Sequence, residues 1–228
     1  MSKHQFEMKK TLIILAEYYP YTPSEFFLDD ELRVNYNRFE EIVVLVNKPK
    51  TDHLNRFIPR NAQIISYDNT IKQKDKLKAL IMMFSAMVKD EIKIAKNKYK
   101  STSLLQTMKV IFMELARAFN VKTQIHQLLK DKNIDNSQVI LYSYWHDYKS
   151  LALCLLKKDN PNLTCIARAH AWDIFADRHN IPYLPFKTQL VKTLDSTYSI
   201  SYAGKQELIR QTSIEYKTKI KISRLGKN

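Results

Sequence analysis

Short apolar runs rich in β-branched residues recur along the chain. They are "TLIILAE" (11–17), "EIVVLV" (41–46), "AQIISY" (62–67), "QVILYSY" (138–144), "TCIARAH" (164–170), "STYSIS" (196–201) and "KIKIS" (219–223). Within each run apolar residues follow one another with little alternation, which marks strands covered on both faces, and helical periodicity fills most of the gaps between them. Strands alternating with helices build a parallel sheet. The pattern therefore predicts an α/β fold: a single Rossmann-like parallel sheet with helices on both faces.

The connecting segments add detail. "TPSE" (22–25) places Thr22 as N-cap, Pro23 at the first helical position and Glu25 three residues on, the spacing of a capping box, ahead of a helix over "SEFFLDDELRVNYNRF". Helices are also expected over 151–158 and 203–212, and "LPFKTQLVKTL" (184–194) carries an apolar stripe. Between Ile71 and Lys132 there is no strand signal, no Gly and no Pro, so 72–132 reads as a helical insertion of two or three helices with a break near "KSTS" (100–103). Its first part, 72–100, holds nine lysines against three acids. Leu77, Leu80, Ile81, Phe84, Met87, Val88, Ile92 and Ile94 recur there at helical spacing, which predicts a basic amphipathic helix. Such a helix suits either packing on the domain or docking on an anionic membrane surface.

Composition changes this picture in two ways. Lys and Arg number 37 against 23 Asp and Glu, a net charge of +14, so an anionic partner or a solubilising lysine-rich surface is expected. The only cysteines, Cys154 and Cys165, fall on a helix and a strand, which argues against a disulfide framework and for a reducing, cytoplasmic location. The longest apolar run, "ALIMMFSAMV" (79–88), is far short of the ~20 residues that span a bilayer. Leu12–Ala16 is too short for a signal-peptide core of about 7–15 residues.

Open α/β sheets bind ligands beyond the carboxyl ends of their strands, so the chemistry is sought there. The relevant segments are "EYYPYTPSEFF", "YSYWHDY", "RAHAWD" and "SYAGKQ". Aromatic rings, hydroxyls, carboxylates and imidazoles together suit a carbohydrate or nucleotide-like ligand. Amides near Ser24 and Ala203 offer places for a phosphate or carboxylate. His170, Asp173 and His179 lack the spacing of a metal-binding motif, and no glycine-rich dinucleotide loop or GxSxG elbow occurs. No nucleic-acid-binding signature accompanies the positive charge, so nucleic acid is not expected as a partner. His170 reads equally as a strand-end histidine held by hydrogen bonds, and Trp145 and Trp172 as packing anchors.

The segments "PSEFFLDDEL", "VILYSYWHDYKSLAL", "CIARAHAWDIF", "YLPFKTQLVKTLDSTYSISYAGKQEL" and "KIKISRLG" resemble, in order and spacing, the N-terminal half of retaining GT-B glycosyltransferases of family 4, particularly those of bacterial exopolysaccharide, capsule and colanic-acid synthesis. The resemblance runs over nearly the whole chain. It implies that 1–228 is an N-terminal, acceptor-side domain, that the donor-binding domain lies elsewhere, and that "SRLGKN" (223–228) leads toward the hinge. It implies His170 as the catalytic-site histidine, with Arg168, Asp173, Tyr144, Trp145 and Trp172 on the acceptor side and Pro23, Ser24, Glu25 and Phe26 as the donor-proximal loop. No metal or cofactor is implied; a UDP- or GDP-sugar is the co-substrate of the complete enzyme. Ser24 and Ala171 stand where the family has glycines.

The expected function is the acceptor-binding half of a hexosyl-type glycosyltransferase for bacterial surface polysaccharide, inactive as a single chain. Expected partners are a sugar or lipid-linked sugar acceptor, a separate donor-domain chain, an anionic membrane contacted through 72–100 on its inner face, and a second copy in a homodimer. The alternative is a non-catalytic binding or scaffolding module docking on an anionic membrane or a partner protein.

Overall fold

A computed structural model describes residues 10–47, 56–99 and 102–225. Seven strands form one all-parallel sheet in the order β3-β2-β1-β4-β5-β6-β7. They are β1 Thr11–Leu15, β2 Ile42–Asn47, β3 Ala62–Tyr67, β4 Val139–Ser143, β5 Thr164–Ala169, β6 Ser196–Ser199 and β7 Ile220–Ile222. Each lies within one of the seven apolar runs or extends it by a single residue. Strand alternation divides the central side chains between two cores. Leu12, Ile14, Ile42 and Val44 meet α1 (Phe26–Asn35) on one face, while Ile13, Leu15, Val43, Leu45 and Leu141 meet α4 (Leu104–Asp131) and α5 (Tyr148–Asp159) on the other. The fold is the α/β sheet with helices on both faces that the pattern predicts. The chain order reverses between β1 and β4, and this is where such sheets open a crevice.

The insertion forms three helices, α2 (Gln73–Met82), α3 (Ala86–Lys98) and α4. The break before α4 is capped by Ser103, whose Oγ accepts from Gln106 N (3.2 Å) while Gln106 Oε1 accepts from Ser103 N (3.1 Å). Lys100 and Ser101 of the expected break lie outside the described residues. α4 has 28 residues, so it runs about 42 Å, and it buries Ile111, Leu115, Ala118 and Ile125 against the sheet and α5. Truncating Leu115, which is fully buried, would cost about 2–5 kcal/mol.

Two local expectations are corrected. The single basic helix over 72–100 is split, because Ser85 caps α3 through its Oγ to Val88 N (3.3 Å) and ends the run after α2. Its apolar stripe does not pack as one face either. α2 turns Asp75 and Ala79 inward, and Leu77, Leu80, Ile81 and Phe84 are 58%, 51%, 65% and 75% exposed. The capping box at Thr22 is also replaced. Thr22 precedes one 3-10 turn (Pro23–Glu25), its hydroxyl pairs with Ser24 Oγ (2.8 Å), and the Glu25 carboxylate turns back to the end of β1.

The remaining helices are α6 (Ala171–Ile174), α7 (Lys187–Thr193) and α8 (Tyr202–Gln211). Ser201 caps α8 by accepting from Gly204 N (3.0 Å). A Cβ at Gly204 would stand 2.5 Å from Ser199 Oγ, so β6 and α8 approach this closely only because the residue is glycine.

Candidate functional site

The C-terminal ends of β1, β4 and β5 enclose a cavity of about 510 Å³. Glu17, Tyr18 and Ser24 line it from the segment after β1, Trp145 to Tyr148 from the segment after β4, and Trp172, Asp173 and His179 from the segment after β5. Tyr183, Leu184, Pro185 and Lys187 close one side, and Val110, Glu114 and Arg117 of α4 reach in from the insertion.

Its floor is built from tied charges. The Lys149 side chain is fully buried, and its ammonium pairs with Glu17 and with Asp147 Oδ2 (3.1 Å). Glu17 also accepts from Asn47 Nδ2 (2.5 Å) and Tyr148 OH (3.1 Å). Burial alone would lower the Lys149 ammonium, but Asp147, Tyr148 and Glu17 hold it well above its ordinary value, so it stays charged. Asp173 is a clamp between two strand ends: Oδ2 accepts from His146 N and Oδ1 from His170 N, both at 2.7 Å. Burial pushes its carboxyl up to about 7, against the pull of Lys187 and of those two N–H groups. Lys187, buried and donating to the His146 carbonyl, is lowered by burial.

Two carboxylates have opposite situations. Glu25, 1% exposed, accepts from the main-chain N–H of Glu17 (2.8 Å), Tyr18 (2.8 Å) and Tyr19 (2.7 Å) and from Trp145 Nε1 (2.7 Å). Glu114 faces the cavity and, among the described residues, has no hydrogen-bond partner. Burial, with Asp147 adding to it, raises its carboxyl to about 7 despite Lys187, Arg117 and Lys149.

The residues proposed from sequence are distributed unequally. Trp145, Trp172, Asp173 and Ser24 line the cavity. Trp172 is 57% exposed at its mouth, with its ring 4.5 Å from that of His179. Tyr144 and His170 sit one layer beneath. The His170 ring lies 4.6 Å from Trp145 and 4.8 Å from Tyr144, and its Nε2 meets the Tyr144 carbonyl (3.1 Å). Burial and then Arg168 lower this imidazole to about 4, so it is neutral near pH 7. Arg168 lies on the α1 face, with Nε on Tyr142 OH (2.8 Å), Nη1 on the Ser223 carbonyl (3.0 Å) and Nη2 on Glu31 (2.9 Å). It borders a second cavity of about 220 Å³ with Phe27, Asp30 and Glu31. Pro23 starts the 3-10 turn, and Phe26 is exposed with its ring 3.7 Å from Phe27.

Sequence reasoning missed the α4 contribution, Glu114 and Arg117, and also Lys187; Glu17, His146 and Asp147 fall in the quoted strand-end segments but were given no individual role, and His179 was weighed only as a metal ligand. His146 is fully buried and neutral, lowered well below its ordinary value by burial and Lys187, and its Nδ1 has no partner among the described residues. Among the described residues no group of three or more His, Cys, Asp and Glu is placed to hold a metal ion, and no helix is long and apolar enough to cross a membrane.

The fold and this crevice define the chain as a parallel α/β domain with a cavity at its strand ends. No protein-family description matches the chain, and no curated protein does. Among solved structures it is similar to trehalose-6-phosphate synthase OtsA (TM-score 0.44, 11% identity, covering 87% of this chain and 42% of that one) and to the apo form of OtsA (0.46, 12%, 88% and 42%). It is also similar to a protein assigned as UDP-N-acetylglucosamine 2-epimerase from Listeria monocytogenes (0.42, 10%, 89% and 42%). The chain thus spans about 42% of the length of each of these structures.

Proposed function

We propose that the chain is the acceptor-binding half of a hexosyl-type glycosyltransferase of bacterial surface polysaccharide synthesis, of the retaining GT-B family 4 type, with a UDP- or GDP-sugar held by a separate donor domain. The observation that carries the reading is the cavity at the β1/β4 reversal, where Trp145, Trp172, Tyr18 and Tyr183 surround carboxylates at Glu17, Glu114 and Asp147. Sugar rings present apolar C–H faces to aromatic rings and hydroxyls to carboxylates, so this lining suits an uncharged or lipid-linked sugar. In the transfer, the acceptor oxygen bonds the anomeric carbon as the bond to the diphosphate breaks, and the hydroxyl proton leaves with the phosphate oxygen. The buried neutral His170 supports Trp145 from below and acts as a positioning residue. The test is a titration of tryptophan fluorescence with neutral oligosaccharides and, separately, with UDP- and GDP-sugars. Saturable quenching by an oligosaccharide alone is expected; saturable binding of a nucleotide sugar, or turnover by the 228-residue chain alone, would overturn the reading.

A second reading, a module that docks on an anionic membrane on the cytoplasmic side, is favoured by α2. The exposed Leu77, Leu80 and Ile81 of α2, with Phe84 just after it, lie beside the exposed Lys72, Lys74, Lys76 and Lys78, which is the chemistry of a helix resting among anionic headgroups. Sedimentation with phosphatidylglycerol vesicles but not with phosphatidylcholine vesicles is expected. Equal sedimentation with both, or with neither, removes the electrostatic part of this reading.

A further inference from the structure

The loop after β1 is where a doubly wound sheet offers main-chain N–H groups to a ligand's phosphate. In this chain those groups are already engaged. The N–H groups of three consecutive residues, Glu17, Tyr18 and Tyr19, converge on one carboxylate, that of Glu25, and the Trp145 indole N–H adds a fourth donor. Successive N–H groups converging in this way form an anion-binding concavity. The Glu25 carboxylate inside it is buried, and each of its oxygens accepts two of the four bonds. The amides at the start of α8, the other place where a phosphate was expected, are partly engaged too, since Ser201 Oγ accepts from Gly204 N.

We infer that Glu25 is a specificity-determining residue: its carboxylate fills the anion cradle at the end of β1, bars phosphate from this half of the cleft, and leaves the cavity to an uncharged sugar. A phosphate entering the cradle would have to expel Glu25 into a site already lined by Glu17, Glu114 and Asp147, with four donors exchanged and a buried carboxylate left without partners. The same carboxylate fixes the edge of the Trp145 ring, so the group that excludes the anion also aims an aromatic wall at the sugar. The inference rests on the acceptor-side reading of the cavity and deepens it.

The test uses the full chain and inorganic pyrophosphate, followed by tryptophan fluorescence and by thermal unfolding. Wild type should show no saturable response. Glu25→Ala, with the cradle vacated, should bind pyrophosphate at least about ten-fold more tightly than wild type and should unfold at a higher temperature in its presence, and also in formate. Glu25→Gln keeps the side-chain volume and the fold should Glu25→Ala fail to fold; its amide nitrogen, facing N–H donors, should also admit pyrophosphate, more weakly than Glu25→Ala. Saturable binding by wild type, or no gain in a folded variant, overturns the inference. Its failure is separable from failure of the acceptor reading. Variants that gain pyrophosphate while wild type ignores every oligosaccharide sink the acceptor reading and leave the occupied cradle standing. Variants that gain nothing while wild type binds oligosaccharide do the reverse.

Discussion

At the C-terminal ends of β1, β4 and β5 the chain buries charge; on the outer side of α2 it exposes hydrocarbon. Lys149, Asp173, Lys187 and Glu25 are all nearly inaccessible, whereas Leu77, Leu80, Ile81 and Phe84 face solvent. Both arrangements oppose the usual partition, but they are maintained differently. The buried charges are held within the fold, each by hydrogen bonds or an ion pair to a neighbouring strand end. The exposed apolar side chains of α2 contribute little to folding, since the helix packs on α4 through its other side, where Asp75 and Ala79 are buried. Inverted polarity inside the cleft is therefore satisfied within the folded chain, whereas on α2 it is left open at the surface.

The strongest way to break this comparison is to remove one buried charge. Lys149→Met leaves Glu17 and Asp147 without their shared cation, and a loss of about 3 kcal/mol in urea unfolding is expected. A loss under about 1 kcal/mol would mean that water already screens the cluster.

A smaller effect sharpens the comparison through pH. Glu114 ionises at about 7 in the folded chain, because of burial and then Asp147, against an ordinary value of 4.5. Between those values the unfolded chain has released the proton while the folded chain keeps it. Stability therefore falls as pH rises through this window and levels off above it. Glu114→Gln removes that dependence, so the variant should gain on wild type between about pH 4 and pH 8 by on the order of 1–2 kcal/mol, discounted for partial exposure. Parallel pH profiles for the two proteins would show Glu114 to be solvated.

At the mouth of the cavity, Trp172→Ala should weaken oligosaccharide binding about ten-fold with an unchanged unfolding midpoint, as its ring is largely exposed. Unchanged affinity would place the sugar elsewhere. The smallest effect on stability is expected on α2, where Ile81→Asp should stay within about 0.5 kcal/mol of wild type while abolishing sedimentation with anionic vesicles. A large loss of stability there would show that Ile81 belongs to the core after all.

The sheet was legible because strands buried on both faces have to be written as uninterrupted apolar runs. Even the weak runs at the edges, β3 and β7, kept enough β-branched residues to stand out. The site was legible only where it is local. Trp145, Trp172 and Asp173 follow their strands directly, whereas Glu114 arrives from α4, 25 residues before the start of β4. A trace of it was present: Glu114 lies three residues after Ile111 and four before Ala118, on the core-facing side of α4, where an acid is unexpected. The resemblance groups Arg168 with Asp173 on the acceptor side, but the period of two along β5 puts it on the face of Ile166, toward α1. Glu25 shows the limit of a motif. Its spacing from Thr22 is that of a capping box, yet the three N–H groups at the end of β1 outcompete the single one such a box would satisfy.

The two cysteines carry a practical consequence. Cys154 and Cys165 are free, buried among apolar neighbours, and pushed well above the ordinary thiol range by burial. As these are the chain's only thiols, the native protein should be nearly inert to maleimide and iodoacetamide. A cysteine introduced at position 81 or 172 would then be the one reactive point, giving a fluorophore or spin label a single address on α2 or at the cleft without first stripping the wild-type sequence.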